Sequence, residues 1–76
     1  MKSTVFSQNN CQACETAIAL LTTSGYEVEI RKLGVNCTKQ DLLDAVPTAR
    51  SVPQIIIGNE VFSGLLPLAK FLQDNK

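Results

Sequence analysis

Apolar and polar positions change their period several times along the 76 residues of this chain. Residues 2–6 hold Thr4, Val5 and Phe6, a β-branched and aromatic core that predicts a short strand. The polar, turn-prone stretch Ser7-Gln8-Asn9-Asn10 follows and ends in residues that cap helices well. From Cys11 the spacing becomes helical: Cys14, Ala17, Ile18 and Leu21 fall at i, i+3, i+4 and i+7, and Ser24-Gly25 is placed to end the helix. Tyr26, Val28 and Ile30 then alternate with Glu27, Glu29 and Arg31, the pattern of a half-exposed strand. Thr38-Lys39-Gln40-Asp41 has the form of a capping box with Asp41 in place of the usual Glu or Gln, ahead of a short helix carrying Leu42, Leu43, Ala45 and Val46 and halted by Pro47. Ile55-Ile56-Ile57 is too short for a helix and suits a strand covered on both faces. Gly58-Asn59 gives a two-residue hairpin turn into Glu60-Val61-Phe62, and Ser63-Gly64 breaks that strand. Pro67 fits the first turn of a last helix whose apolar face is Leu68, Phe71 and Leu72.

The order β-α-β-α-β-β-α places the chain in the α/β class, as one domain over residues 1–76 with a four-stranded sheet, a hairpin at one side and three flanking helices. No repeat or linker interrupts it. With 45% hydrophobic and 18% charged residues the composition is that of a globular domain. Seven Lys and Arg balance seven Asp and Glu, so there is no electrostatic footprint for nucleic acid or an anionic membrane. The apolar runs fall far short of the ~20 residues of a membrane span. The residues before Thr4 are too few for a secretory signal, so the expected location is the cytoplasm. A monomer is expected.

Three cysteines and no histidine make a four-ligand zinc site unattainable, and no metal is expected. Cys11 and Cys14 can close a disulfide, but so small a loop removes little unfolded-state entropy. The Cys-x-x-Cys therefore points to chemistry before architecture. Cys11-Gln12-Ala13-Cys14 sits where a strand hands over to a helix N-terminus, whose free N–H groups and dipole favour a thiolate on Cys11. Cys14 lies one turn deeper as the resolving thiol, against the alternative of a buried or metal-binding pair. Cys11 would attack a substrate disulfide, and Cys14 would then attack Cys11 and release the reduced substrate. No Lys or Arg adjoins the motif. Arg50, ahead of Ser51-Val52-Pro53, is the one basic residue expected nearby, by fold analogy alone, the alternative being a solvated loop charge.

Val5-Phe6, Cys11-Gln12-Ala13-Cys14, Ser51-Val52-Pro53-Gln54-Ile55 and Ser63-Gly64, taken with their spacing, resemble the glutaredoxins of the thioredoxin superfamily from end to end. The resemblance implies a thioredoxin-like, glutaredoxin-type fold with a mixed sheet, and the activity of a dithiol–disulfide oxidoreductase. It also implies a cis peptide before Pro53, which would face Cys11, and a Val52 backbone that pairs with a bound thiol substrate as an added strand does. Gln8, Gln12, Ala13, Arg50, Val52, Pro53, Ser63, Gly64 and Leu65 are the residues expected to contact the substrate. Glutathione is the co-substrate the resemblance implies, with no tightly bound cofactor. The clients are disulfide-containing proteins, ribonucleotide reductase being the family's usual one.

Two charges that glutaredoxins turn toward glutathione are missing. Gln8 stands where they carry a Lys, and Leu66 where they carry an Asp. Ser63-Gly64-Leu65-Leu66-Pro67 instead resembles the Ser-Gly-x-x-Pro segment of NrdH-type redoxins, which are reduced by thioredoxin reductase. That is the alternative reading, and a module bridging an iron–sulfur cluster between two chains is a weaker one. Of Leu65 and Leu66, one is expected in the core and the other at the surface. Cys37, in a polar loop, is expected as a bystander thiol or a site of glutathionylation or dimerisation. Tyr26 is expected at a strand edge.

Overall fold

The computed structural model describes residues 2–74; the ends of the expected 1–76 domain, Met1, Asn75 and Lys76, lie outside the described residues. The elements are β1 (Lys2–Ser7), α1 (Gln12–Thr23), β2 (Glu27–Lys32), α2 (Lys39–Ala45), β3 (Gln54–Ile57), β4 (Glu60–Ser63) and α3 (Leu65–Asp74), in the order the sequence pattern predicts. The sheet order is β2-β1-β3-β4. β1 and β2 are parallel, and parallel neighbours need a crossover, which α1 supplies. β3 runs antiparallel to β1 and to β4, making the sheet mixed.

Alternation along the two central strands builds two cores. Val5, Ile55 and Ile57 pack with Ala17 and Leu21 of α1 and Leu68 of α3 on one face, all buried. Phe6 points to the other face, where it packs with Leu42 and Val46 under α2, and Ile56 leans on this second cluster. The Ile55-Ile56-Ile57 run is thus covered on both sides. On α2 the capping box forms in full: Thr38 Oγ1 accepts from the Asp41 N–H at 3.1 Å, and Asp41 Oδ2 accepts from the Thr38 N–H at 2.8 Å. At the end of α1, Gly25 takes φ +90, a left-handed conformation that favours glycine. Among the described residues no helix is long and apolar enough to cross a membrane.

The structure departs from the sequence pattern in several places, among them β4, which keeps Ser63, and α2, which ends at Ala45 with Val46 as its cap. β1 extends to Ser7, which the pattern assigns to the loop, because its carbonyl accepts from the Leu33 N–H at 2.9 Å and extends the ladder to β2. The cap of α1 is Cys11, and Asn10 adopts φ 59 to make the turn before it. Tyr26 precedes β2 and packs against the first core, so it is no strand-edge residue. Cys37 lies in a loop, but its side chain is turned inward: it is 6% exposed inside the second core beside Phe6.

One buried polar side chain ties the segments near the end of β1 together. Gln54 is 1% exposed, yet its amide is matched on both sides. Its Nε2 donates to the Ser51 carbonyl at 2.7 Å, and its Oε1 accepts from Ser63 Oγ at 2.8 Å. The Gly64 N–H donates to the Pro53 carbonyl at 2.9 Å across the same gap. These bonds join the loop before β3 to the start of α3. Gln54→Leu, close in volume and apolar, strips both bonds; urea unfolding is expected to show a loss of about 1–3 kcal/mol. An unchanged midpoint would mean the amide holds nothing in place.

Candidate active site

The site is built at the C-terminal end of β1. Residues 8–10 turn the chain out of the sheet, with Asn10 in the left-handed region that Asn tolerates better than most residues. Cys11 then takes the extended backbone of an N-cap, φ −115 and ψ 97. Its Sγ accepts a hydrogen bond from the Cys14 N–H at 3.2 Å, the role that a Ser or Asp oxygen plays at other helix starts. The first turn of α1 brings the two Cα atoms to 5.3 Å, and Cys11 and Cys14 form a disulfide.

The two sulfurs differ in access. Cys11 is half-buried, whereas Cys14 is 1% exposed under the helix. A thiolate arriving from solvent meets Cys11 first. In the reduced state the Cys14 N–H and the helix dipole both favour negative charge on Cys11. Of the residues between them, Gln12 is exposed and Ala13 partly buried.

Two hollows flank this point, and Gln8 borders both. The one holding the dithiol has a volume of about 530 Å³ and is lined by Cys11, Cys14, Ser7, Glu15, Ile30 and Lys32 as well as the loop. Arg50 does not line it. Arg50 lies instead in the neighbouring hollow of about 730 Å³, with Lys39 and Val52. The cation beside the dithiol is Lys32. The reason is register: parallel pairing sets Lys32 opposite Ser7, directly below the head of α1. The signal was in the alternation, since Lys32 continues the Val28, Ile30 series on the α1 face. Lys39 and Gln54 also escape a reading of the sequence alone, because only folding brings α2 and the amide bridge to this end of the sheet.

On the far side the Val52–Pro53 peptide is cis, Pro53 is buried and Val52 is half-buried against the second core. Ser63 and Gly64 are held to this loop by the bonds already described, and Gly64 takes φ +96 to start α3. Leu65 packs against the first core, while Leu66 is 82% exposed, which divides the pair between core and surface. Ser7 Oγ stands apart: it is buried and has no hydrogen-bond partner among the described residues.

Comparison with known proteins bears on this arrangement. The chain has no significant match among curated protein sequences. Among solved structures, the NrdH-redoxin of Escherichia coli, a glutaredoxin-like protein with a thioredoxin-like activity profile, superposes with a TM-score of 0.76 at 19% identity, covering 100% of this chain and 96% of that one. Reduced Escherichia coli glutaredoxin gives 0.75 at 24% identity, covering 99% and 96%. A buckwheat glutaredoxin–glutathione complex gives 0.67 at 21%, covering 97% and 70%. Identities this low carry the fold. The family follows from the sequence model for glutaredoxin, which matches residues 4–62, from β1 through the dithiol and the loop before β3 to the hairpin. With that match over most of its length and a Cys-x-x-Cys disulfide at the head of α1, the chain belongs to the glutaredoxin family and is a thiol–disulfide oxidoreductase.

Proposed function

We propose that the protein reduces protein disulfides and glutathione mixed disulfides through Cys11 and Cys14, that glutathione is its reductant, and that ribonucleotide reductase is among its clients. The observation that carries the reading is the unequal pair: a reachable Cys11 whose sulfur receives an N–H at the helix start, and a buried Cys14 beneath it. In the forward reaction the Cys11 thiolate attacks one sulfur of the substrate disulfide. A Cys11–substrate bond forms and the other substrate sulfur leaves with the electron pair, to be protonated by solvent. The Cys14 thiolate then attacks Cys11, the ring closes, and the second substrate sulfur leaves. The dithiol has given up two electrons.

Glutathione as reductant is supported by the neighbouring hollow. Lys39 and Arg50 give it positive charge next to Val52, where the carboxylates of a thiol tripeptide find partners even though Gln8 and Leu66 replace the charges common in the family. The alternative reductant, thioredoxin reductase, is supported by the Leu66 side chain exposed next to Ser63 and Gly64. It draws further support from Ser63-Gly64-Leu65-Leu66-Pro67, which resembles the Ser-Gly-x-x-Pro segment of NrdH-type redoxins.

Two NADPH-coupled assays on one sample separate the reductants. Turnover with glutathione, glutathione reductase and a glutathione mixed disulfide supports the first; turnover only with thioredoxin reductase and a protein disulfide supports the second and overturns the glutathione reading. In the first assay, Lys39→Ala combined with Arg50→Ala is expected to raise KM for the mixed disulfide by roughly two- to tenfold, with kcat little changed, as for exposed charge pairs. Cys11→Ser is expected to abolish every disulfide reduction because the nucleophile is gone. Cys14→Ser is expected to stop protein-disulfide reduction, trap mixed disulfides and leave exchange with glutathione alive. Wild-type activity in Cys11→Ser would refute the mechanism.

A further inference from the structure

Ser7 ends β1 and shares the α1 face of the sheet with Val5. It is 2% exposed, and its hydroxyl has no partner among the described residues. Ser3 is also buried on this strand, but its hydroxyl donates to the Glu27 carbonyl at 2.9 Å. A buried hydroxyl left unmatched works against folding, so its presence calls for a reason outside the resting fold. Its position suggests one. Ser7 borders the same hollow as Cys14, and it pairs in register with Lys32, which borders that hollow too.

We propose that Ser7 is a positioning residue for the resolving thiol: its hydroxyl donates a hydrogen bond to the Cys14 sulfur when the disulfide opens, and Lys32 supplies the balancing positive charge across the hollow. The inference rests on the reading of Cys11 as the attacking and attacked sulfur. When a thiolate attacks Cys11, a new disulfide forms there, the Cys11–Cys14 bond breaks, and its electron pair stays on Cys14. That sulfur is 1% exposed, and the N–H at the helix start is directed to Cys11. A thiolate so buried is strongly disfavoured without a donor. The Ser7 hydroxyl is a donor in want of an acceptor, and the chemistry creates one. In the other direction Cys14 must lose its proton to solvent before it attacks Cys11, and the same bond steadies the thiolate that results. The titratable groups facing the hollow are the two cysteines and Glu15 from α1 and Lys32 from β2. Lys32 favours the Cys14 thiolate, and Glu15 opposes it.

Reaction of the reduced protein with 5,5′-dithiobis(2-nitrobenzoate) tests this in two phases. Cys11 releases the first equivalent of the coloured thiolate as it becomes a mixed disulfide; Cys14 releases the second as the ring closes. Cys37 is buried and stays out of both fast phases. In Ser7→Ala the first phase is expected within about twofold of wild type and the second slowed about ten- to a hundredfold near neutral pH, the loss of one hydrogen bond to a charged group. Its pH midpoint should move upward, because the thiolate has become harder to form. Ser7→Thr keeps the hydroxyl and should restore rate and midpoint, while Lys32→Met should raise the midpoint. Thermal melting of Ser7→Ala should match or exceed wild type, which separates the effect from damage to the fold. A second phase of unchanged rate and midpoint in Ser7→Ala or in Lys32→Met overturns the proposal, as does equal slowing in Ser7→Thr. Absence of the first phase in wild type would instead overturn the redox reading itself, and this inference with it.

Discussion

The hydrogen bond from the Cys14 N–H to the Cys11 sulfur joins folding to reactivity. A helix must find acceptors for its first N–H groups, and most do so with an oxygen that has no other task. Here the acceptor is the atom that reacts. Whatever positions the start of α1 therefore positions the sulfur, and the sheet positions α1. β1 is held on one side by the parallel ladder to β2 and on the other by the antiparallel ladder to β3. The residue that leaves it has little freedom in where it goes.

The opposite wall of the site is held by different means. The loop with the cis peptide and the start of α3 continue from the ends of β3 and β4, whose ladder stops at Gln54 and Ser63. They are joined by the Gln54 amide and by the Gly64–Pro53 backbone bond. One wall is thus held by the sheet alone, and the other also by a buried amide with a partner on each side. Ser7 is the contrast between the two: a buried polar group on the first wall whose bond is absent in the oxidised state.

Much of this was legible in the sequence, for identifiable reasons. The element order followed from periodicity, the α2 start from the Thr38–Asp41 box, and the doubly covered strand from three successive isoleucines, all local signals. The dithiol was legible because reactive chemistry needs its two residues close in the chain. Interactions set by register or by distant packing were not legible. Lys32 borders the hollow of the dithiol through its pairing with Ser7, while Arg50, placed near the dithiol by analogy with the fold, lines the neighbouring hollow instead. Cys37 read as a loop residue because its neighbours are polar, but folding turns its side chain beneath α2. The two side-chain bonds of Gln54 were not legible either, since a polar residue ahead of an apolar run resembles an ordinary strand edge.

The burial of Cys37 has a further consequence. A chain whose thiols all reached solvent would close more than one intramolecular ring, and oxidising equivalents would be divided among isomers that must be reshuffled before the next turnover. Cys37 is enclosed with Phe6, on the face of the sheet away from α1. It is withheld from that traffic without being removed from the sequence. The oxidised protein therefore has one covalent form, and each cycle starts from the same bond.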